Sequence, residues 1–530
     1  MDEPSGICSG KIPLCLRVGV SGHRNITPSY PGLDEVVHYV RDVIMTTRNA
    51  IATESTPVCV RIVSSLAEGA DRLLVHAMLA AGDQRPDAVH LEAILPLEPS
   101  DYCADFGSTA SKQEFSGLLA VAAVSEVVPA TASRERAYQS AGKAVVDRSD
   151  VMVFMWDGNP ARGRGGTAEI FDYAQQRNKA IFWIRTEDGR AGLVLEPRAR
   201  VTPLSDDARR QLDRYNRESL PAAYSAQSSP VLGQLSASGL DAATKLSEHF
   251  SSYYARADAL AGRFQRRWFW LTRLIYALAA LAVVIVATQV LYEPRHDRDA
   301  WFEFATLLCV MALLLLAHFS NWHDRWISTR YLAEQIRSLV FLGLAGADDI
   351  VPTNRPPQPT EIGSWNDRAM DEIWWSRPRY VPDDVEATRK LLDEQWVSDQ
   401  LRYHDKTSHN YEKKSRRFTW AAIILFTLSA VAALLHSAGI GQPHSLWAFL
   451  SIIAPAIGAA LSGYAAQRDY ARHAERSRLF AVTLGQARDQ LIKAASLHDI
   501  QQVALSVTML MRGEAGDWYS IVRLKEIEPL

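Results

Sequence analysis

The chain lacks most of the features that usually identify a chemistry. Its 530 residues hold five cysteines, Cys8, Cys15, Cys59, Cys103 and Cys309, too few and too scattered for a disulfide framework or a zinc site. No charged-then-apolar leader opens the sequence, so the first domain is expected in a reducing cytoplasm. Charge of either sign is not in excess: 57 Lys and Arg against 60 Asp and Glu give a formal net charge of −3 and a pI near 6.5. A dedicated nucleic-acid binder carries a basic surplus, so no nucleic-acid partner is expected. No serine triad, metal cluster or paired-carboxylate constellation stands out. Ionisable residues are also nearly absent from four long apolar blocks, which the mean hydropathy of −0.10 conceals.

These blocks run from about Trp268 to Tyr292, Phe302 to Phe319, Phe418 to His436 and Leu446 to Ala466. A bilayer core roughly 30 Å thick needs about 20 apolar residues in a helix, and each block is near that length. Arg263, Arg266 and Arg267 precede the first block, and Arg325 and Arg330 follow the second. Lys413, Lys414, Arg416 and Arg417 precede the third, and Arg468, Arg472 and Arg476 follow the fourth. The connection around Glu293 to Asp299 mixes signs, and Ser437 to Ser445 carries no Lys or Arg. By the positive-inside rule both hairpins dip from the cytoplasm and return, leaving both termini inside. Trp268, Trp270, Trp301, Trp322 and Trp420 sit at the ends as interfacial anchors.

The hairpins read as copies. Arg266-Arg267-Trp268-Phe269-Trp270 has its counterpart in Arg416-Arg417-Phe418-Thr419-Trp420. A helical run precedes each hairpin, and a charged amphipathic helix follows it. A carrier keeps acids or bases at mid-membrane for its coupling ions; here Arg273 lies near one end, and Glu303 and His318 at the ends of the second span. Pro455, Gly458, Ser462 and Gly463 in the fourth span permit close helix packing or a kink, and packing is the expectation. The Trp374-to-Tyr380 run is expected to pack against neighbouring helices rather than lie on the membrane surface.

Residues 14 to about 185 alternate apolar runs with helical stretches, the pattern of a Rossmann-like α/β parallel sheet. Strands are predicted at Leu14–Val20, Val58–Val63, His90–Leu95, Ser125–Val128, Val151–Trp156 and Ala180–Ile184. In such sheets ligands sit beyond the carboxyl ends of the strands, where small residues expose backbone N–H groups and the next helix N-terminus favours an anion. Three strand ends carry such loops: Ser21, Gly22, His23 and Arg24; Ser64, Ser65, Leu66, Glu68, Gly69 and Asp71; and Asp157 with Gly165, Gly166, Thr167 and Glu169. Together they read as a nucleotide pocket. Asp71, Asp157 and Glu169 have the chemistry to accept from ribose hydroxyls and Arg24 to pair with a phosphate, although a helix cap or a surface ion pair needs the same residue types.

The three runs, Val18-to-Arg24, Ser64-to-Asp71 and Gly165-to-Glu169, resemble the SLOG superfamily, which unites Smf-type DNA-processing proteins, Lonely Guy phosphoribohydrolases and nucleotide-sensing domains. The second run is similar to the serine-glycine-leucine-alanine-x-glycine-x-aspartate loop of the Smf-type branch, with Ser65 in place of the glycine. A looser likeness is to the ADP-ribose-binding SLOG domains of melastatin-type TRP channels. The membrane part resembles SLATT-type modules of prokaryotic conflict systems, through Arg330-to-Arg337 and Trp396-to-Tyr403. The phosphoribohydrolase motif places its catalytic glutamate where this chain has Ile170, with Glu169 one residue early, Arg162 at the proline and Arg164 at the second glycine. The resemblance thus implies a sensor and not an enzyme, with no cofactor beyond the nucleotide ligand.

The expected order is a SLOG-like nucleotide-binding domain over 1–190 and a connector over 191–245 with a linker at Ser225 to Gly239. A helix–hairpin–helix unit over 246–345, a Pro- and Trp-rich connector over 346–384 and a second unit over 385–530 follow. The implied partners are a nucleotide second messenger, NAD-derived or cyclic, the lipid bilayer, and further copies of the chain in a homo-oligomer. The implied role is an inner-membrane effector of antiphage defence. The competing readings are a membrane-anchored nucleotide N-glycosidase and, from the Smf-type likeness, a single-stranded DNA binder that lacks the basic excess for it.

Overall fold

Seven segments form one sheet: β1 (Leu14–Gly22), β2 (Val58–Ser64), β3 (Val89–Leu95), β4 (Val124–Val127), β5 (Val151–Trp156), β6 (Ala180–Glu187) and β7 (Arg190–Leu195). They are seen in a computed structural model that describes residues 10–80, 89–128, 133–160, 165–187, 190–197, 201–220, 241–292, 297–347, 365–441 and 444–523. The linker expected at Ser225 to Gly239 and the Pro-rich run at 352–359 lie outside the described residues. The early helices are α1 (Leu33–Ala50), α2 (Ala70–Ala80), α3 (Pro99–Cys103), α4 (Thr109–Val121), α5 (Arg134–Arg148), α6 (Thr167–Gln176) and α7 (Asp206–Arg217). Then come α8 (Asp241–Tyr292), α9 (Asp297–Ser320), α10 (Trp322–Leu344), α11 (Trp365–Trp375) and α12 (Val385–Leu392). After one π-helical turn at Asp393–Val397 follow α13 (Ser398–Ser437), α14 (His444–Arg468), α15 (Tyr470–Lys493) and α16 (Leu497–Arg523). The chain divides into two compact units, Met1–Arg256 with Ala347–Tyr380, and Ala257–Gly346 with Val381–Leu530.

In the first unit the strand order is β4-β3-β2-β1-β5-β6-β7. Every pair is parallel except the last, β6 with β7. The antiparallel β7 has no counterpart in the sequence reading, which ends the sheet at β6. Its residues are largely half-exposed or exposed, so as an edge strand it carries no long apolar run. Alternation along β5 sends Met152, Phe154 and Trp156 to one face. There they meet Ala141 and Val145 of α5 and Ile170, Phe171 and Ala174 of α6. Val151, Val153 and Met155, also buried, point the other way. The stripe Leu33, Val37, Val40 and Ile44 on α1 is buried at helical spacing.

Two features of this unit depart from the sequence reading. First, α11 comes from the stretch expected to be a connector and is counted with the sheet, its Trp374 and Trp375 buried. It covers a charge cluster that no apolar pattern announces. Arg17, fully buried on β1, donates to Glu92 on β3 at 2.6 and 2.8 Å and to Glu372 on α11 at 2.7 Å, and lies 4.3 Å over the Trp375 ring. Arg61 reaches Glu92 at 2.9 Å, and Arg368 reaches Asp150 at 2.8 Å. Burial alone raises a carboxyl; the guanidiniums of Arg17 and Arg61 outweigh it and hold Glu92 below the ordinary carboxylate value. Second, Cys15 and Cys59 are joined by a disulfide. They are register partners on β1 and β2, with Cα atoms 4.6 Å apart. This is one bridge rather than a framework, and its 44-residue separation hides it in the sequence.

The second unit is all-helical. Its four candidate spans lie in α8, α9, α13 and α14. Between 0 and 22% of each most apolar window is buried within the protein. Surfaces carrying exposed Trp301, Phe304, Leu308 and Met311 have the composition of helix faces that cross a bilayer. The order helix, hairpin, helix occurs twice, through α8–α9–α10 and α13–α14–α15. A single left-handed residue separates the returning span from the next helix in both: Asn321 (φ 52°) before α10 and Asp469 (φ 47°) before α15. Asn and Asp tolerate that conformation better than other side chains. The small residues of the fourth span do pack: a Cβ on Gly463 would stand 2.9 Å from the Tyr276 ring and one on Gly458 3.3 Å from Phe426. Pro455 lies inside an unbroken α14.

Candidate functional site

The three loops singled out in the sequence meet at the carboxyl edge of the sheet, because β1 lies between β2 and β5. Their joints are backbone contacts that admit no side chain. A Cβ on Gly22 would sit 2.4 Å from the Met155 carbonyl oxygen and 2.5 Å from Ala70 Cβ. The His23 N–H donates to that Met155 carbonyl at 3.0 Å, and the Ala70 N–H donates to the His23 carbonyl at 3.0 Å. Gly69 has φ 79°, and a Cβ there would stand 2.4 Å from the Arg24 carbonyl oxygen. Its glycine therefore satisfies both a left-handed backbone and a close approach.

Asp71 is the polar centre of the arrangement. Its Oδ1 accepts from the Gly22 N–H at 3.1 Å and its Oδ2 from the Ser64 hydroxyl at 3.3 Å, while the Ser64 Oγ accepts from the Leu66 N–H at 3.0 Å. Buried Leu66 takes φ 55°, a costly conformation for a leucine that this hydrogen-bonded loop maintains. Burial pushes the Asp71 carboxyl up to about 7, against the opposing pull of Ser64, the Gly22 and Ala67 N–H groups and Arg24. Glu68 accepts from the Gly107 N–H at 3.1 Å and from the Ser111 hydroxyl, so it ties the β2 loop to α4.

On the third loop, Glu169 sits three residues after the N-cap Gly166 of α6. Its Oε2 accepts from the Gly165 N–H at 2.8 Å, and its Oε1 accepts from the Gln139 side chain. This is the reach-back of a capping glutamate. Gly165, with φ 77°, packs so close to α5 that a Cβ would stand 2.8 Å from the Gln139 nitrogen. Asp157 accepts from the Asn159 N–H at 2.9 Å and lies 3.8 Å from the His23 ring. Arg162 and Arg164 lie outside the described residues.

The arrangement thus sorts the sequence-predicted residues by what they do locally. Asp71, Glu68 and Glu169 hold the loops in place. Ser21, His23, Ser65, Gly165, Gly166 and Thr167 stand half-buried at the rim of the three loops. Arg24 is exposed and lies 5.2 Å over the Tyr138 ring. Tyr138 donates to Asp105, which Arg134 contacts at 2.9 Å. Asp105, Arg134 and Tyr138 border the site, and the sequence reading missed them. They come from α5 and the turn after α3, which carry no glycine loop to mark a strand end. Among the described residues no group of three or more His, Cys, Asp or Glu is placed to hold a metal ion.

Comparison with family models matches residues 394–518 to the SMODS and SLOG-associating 2TM effector domain 1. That stretch takes in the second hairpin with α15 and most of α16 and contains Trp396-to-Tyr403; Arg330-to-Arg337, the other run on which the SLATT resemblance rests, lies outside it. No curated protein matches the chain.

Proposed function

We propose that the chain is a ligand-gated membrane effector. A nucleotide, NAD-derived or a cyclic second messenger, binds the carboxyl edge of the sheet and shifts an oligomer of the two-hairpin unit to a state that permeabilises the inner membrane, in antiphage defence. The observation that carries this reading is the convergence of three small-residue loops on one sheet edge, in a chain whose second hairpin matches a 2TM effector family. Ligand binding shifts such an equilibrium only through different affinity for the two states, so the edge must be mechanically linked to the spans. The chain offers that link covalently: it passes between the two units at 256/257, 346/347 and 380/381, the first time within the continuous helix α8.

The test is calorimetric titration of the full chain in nanodiscs with ADP-ribose, its cyclic isomers, cyclic dinucleotides and plain nucleotides, beside a growth assay in cells. Gly165→Leu with Gly166→Leu is expected to abolish binding and toxicity together. Toxicity that survives the loss of binding would sink the gating claim. The engagement of Glu169 in capping disfavours the glycosidase alternative, which predicts release of free base from nucleoside monophosphates in the same samples.

A further inference from the structure

A cavity of about 340 Å³ lies within the second unit, in the size range of small-molecule sites. It is bounded by the basic-flanked ends of all four spans. Trp268 and Phe269 open the first, Arg330 follows the second, Tyr411 precedes the third and Gln467 and Arg468 follow the fourth.

Its charges do not cancel. Arg330 pairs with Asp258 at 2.9 Å and with Glu334, and Arg337 reaches Glu334 at 3.1 Å. Arg472 faces Asp469 at 3.4 Å, and Arg476 faces Glu514 at 2.9 Å. Four arginines thus meet four carboxylates. Arg468 is the fifth arginine on the wall. Its guanidinium stands 3.4 Å over the Phe269 ring and 5.8 Å from that of Tyr470, and among the described residues no carboxylate pairs with it.

Polar groups around Arg468 also wait for partners. Its Nε is buried without a hydrogen bond, as are both the nitrogen and the oxygen of the Gln467 amide. His404, only 7% exposed, has an unpartnered Nδ1. Burial keeps that imidazole neutral, pushed down to about 4 although Glu334 pulls the other way. A neutral imidazole and an amide each offer one donor side and one acceptor side. Leaving such groups buried and unsatisfied is unfavourable, so an occupant that satisfies them gains affinity.

We propose that this cavity is a second ligand site, in the membrane unit itself, and that it takes a phosphodiester. One surplus guanidinium matches the single negative charge of a diester, whose oxygens suit the donors of Arg468 and Gln467. The Gln467 carbonyl and the acceptor side of His404 suit hydroxyls carried by the same ligand, as in glycerol or ribose. A phospholipid headgroup and a soluble nucleotide diester share this chemistry. An occupant touches all four span ends and therefore weights the span arrangement directly. The site stands independently of the sheet edge.

The experiment uses the full chain in phosphate-free maltoside detergent. One arm adds glycerophosphoglycerol and reads the melting temperature; the other adds phosphatidylglycerol and reads retained lipid by native mass spectrometry. Stabilisation by the first probe identifies a soluble ligand, and retention of the second alone identifies a lipid. Either effect is expected to weaken at least tenfold in Arg468→Gln and to persist in Arg263→Gln, which is away from the cavity. Gln467→Leu serves if Arg468→Gln does not fold. No effect of either probe, or an equal effect on the wild type and the cavity variants, would overturn the proposal.

Discussion

At the scale of single residues, Asp71 couples the candidate site to pH. Its folded value, about 7, lies above the ordinary 3.8, so the folded state favours the protonated carboxyl. That contribution to stability is complete below pH 3.8 and is lost as pH rises through about 7. The slope within the window is about 1.4 kcal/mol per pH unit. Asp71→Asn keeps the shape and removes the titration, so the decline in melting temperature between pH 4 and 7 should become shallower than in the wild type; an unchanged profile would assign the titration elsewhere. Gly69→Ala tests the loop joint. It combines a positive φ with a Cβ 2.4 Å from a carbonyl oxygen. The expectation is a lower melting temperature and loss of nucleotide binding, with the oligomeric state on size exclusion unchanged.

At the scale of elements, α11 turns a buried charge cluster into part of the core. Glu372 is the carboxylate through which α11 reaches Arg17, and it also pairs with Arg368 one turn back on the same helix. Breaking a buried pair from one side leaves an uncompensated charge and costs about 3–5 kcal/mol. Glu372→Ala should therefore destabilise the first unit by that amount in denaturant titration and raise hydrogen exchange over 365–375. A change under 1 kcal/mol would mean that Glu92 alone suffices for Arg17. The same element marks the limit of what the sequence discloses. The spans, β1 to β6 and most helices are legible because local periodicity encodes them. α11, by contrast, falls in the stretch read as a Pro- and Trp-rich connector, its Asp367, Arg368, Asp371 and Glu372 form no apolar pattern, and the Arg17 partner is 355 residues away. The site divides in the same way: glycine loops at strand ends are local signals, whereas Tyr138 and Asp105 join Arg24 only through the fold.

At the scale of the whole molecule, the charge asymmetry around the hairpins predicts that their connections lie outside and both termini inside. In a cysteine-free background, a cysteine at Gly439, in the hairpin connection, should react with an impermeant maleimide in intact cells, and one at Leu479 on α15 only after permeabilisation. The reverse pattern would invert the topology. The membership of residues 347–380 in the first unit also orders how the protein is made. Ribosomes release β1 to β7 early, yet Arg368, Glu372 and Trp375 emerge only after the first hairpin has been synthesised. Until then Arg17 lacks Glu372 and the Trp375 ring, so the core of the first unit is completed only after the first hairpin has been synthesised. In that order of biogenesis the first two spans are made before the unit that carries the candidate site is whole, so the two units are not built one after the other.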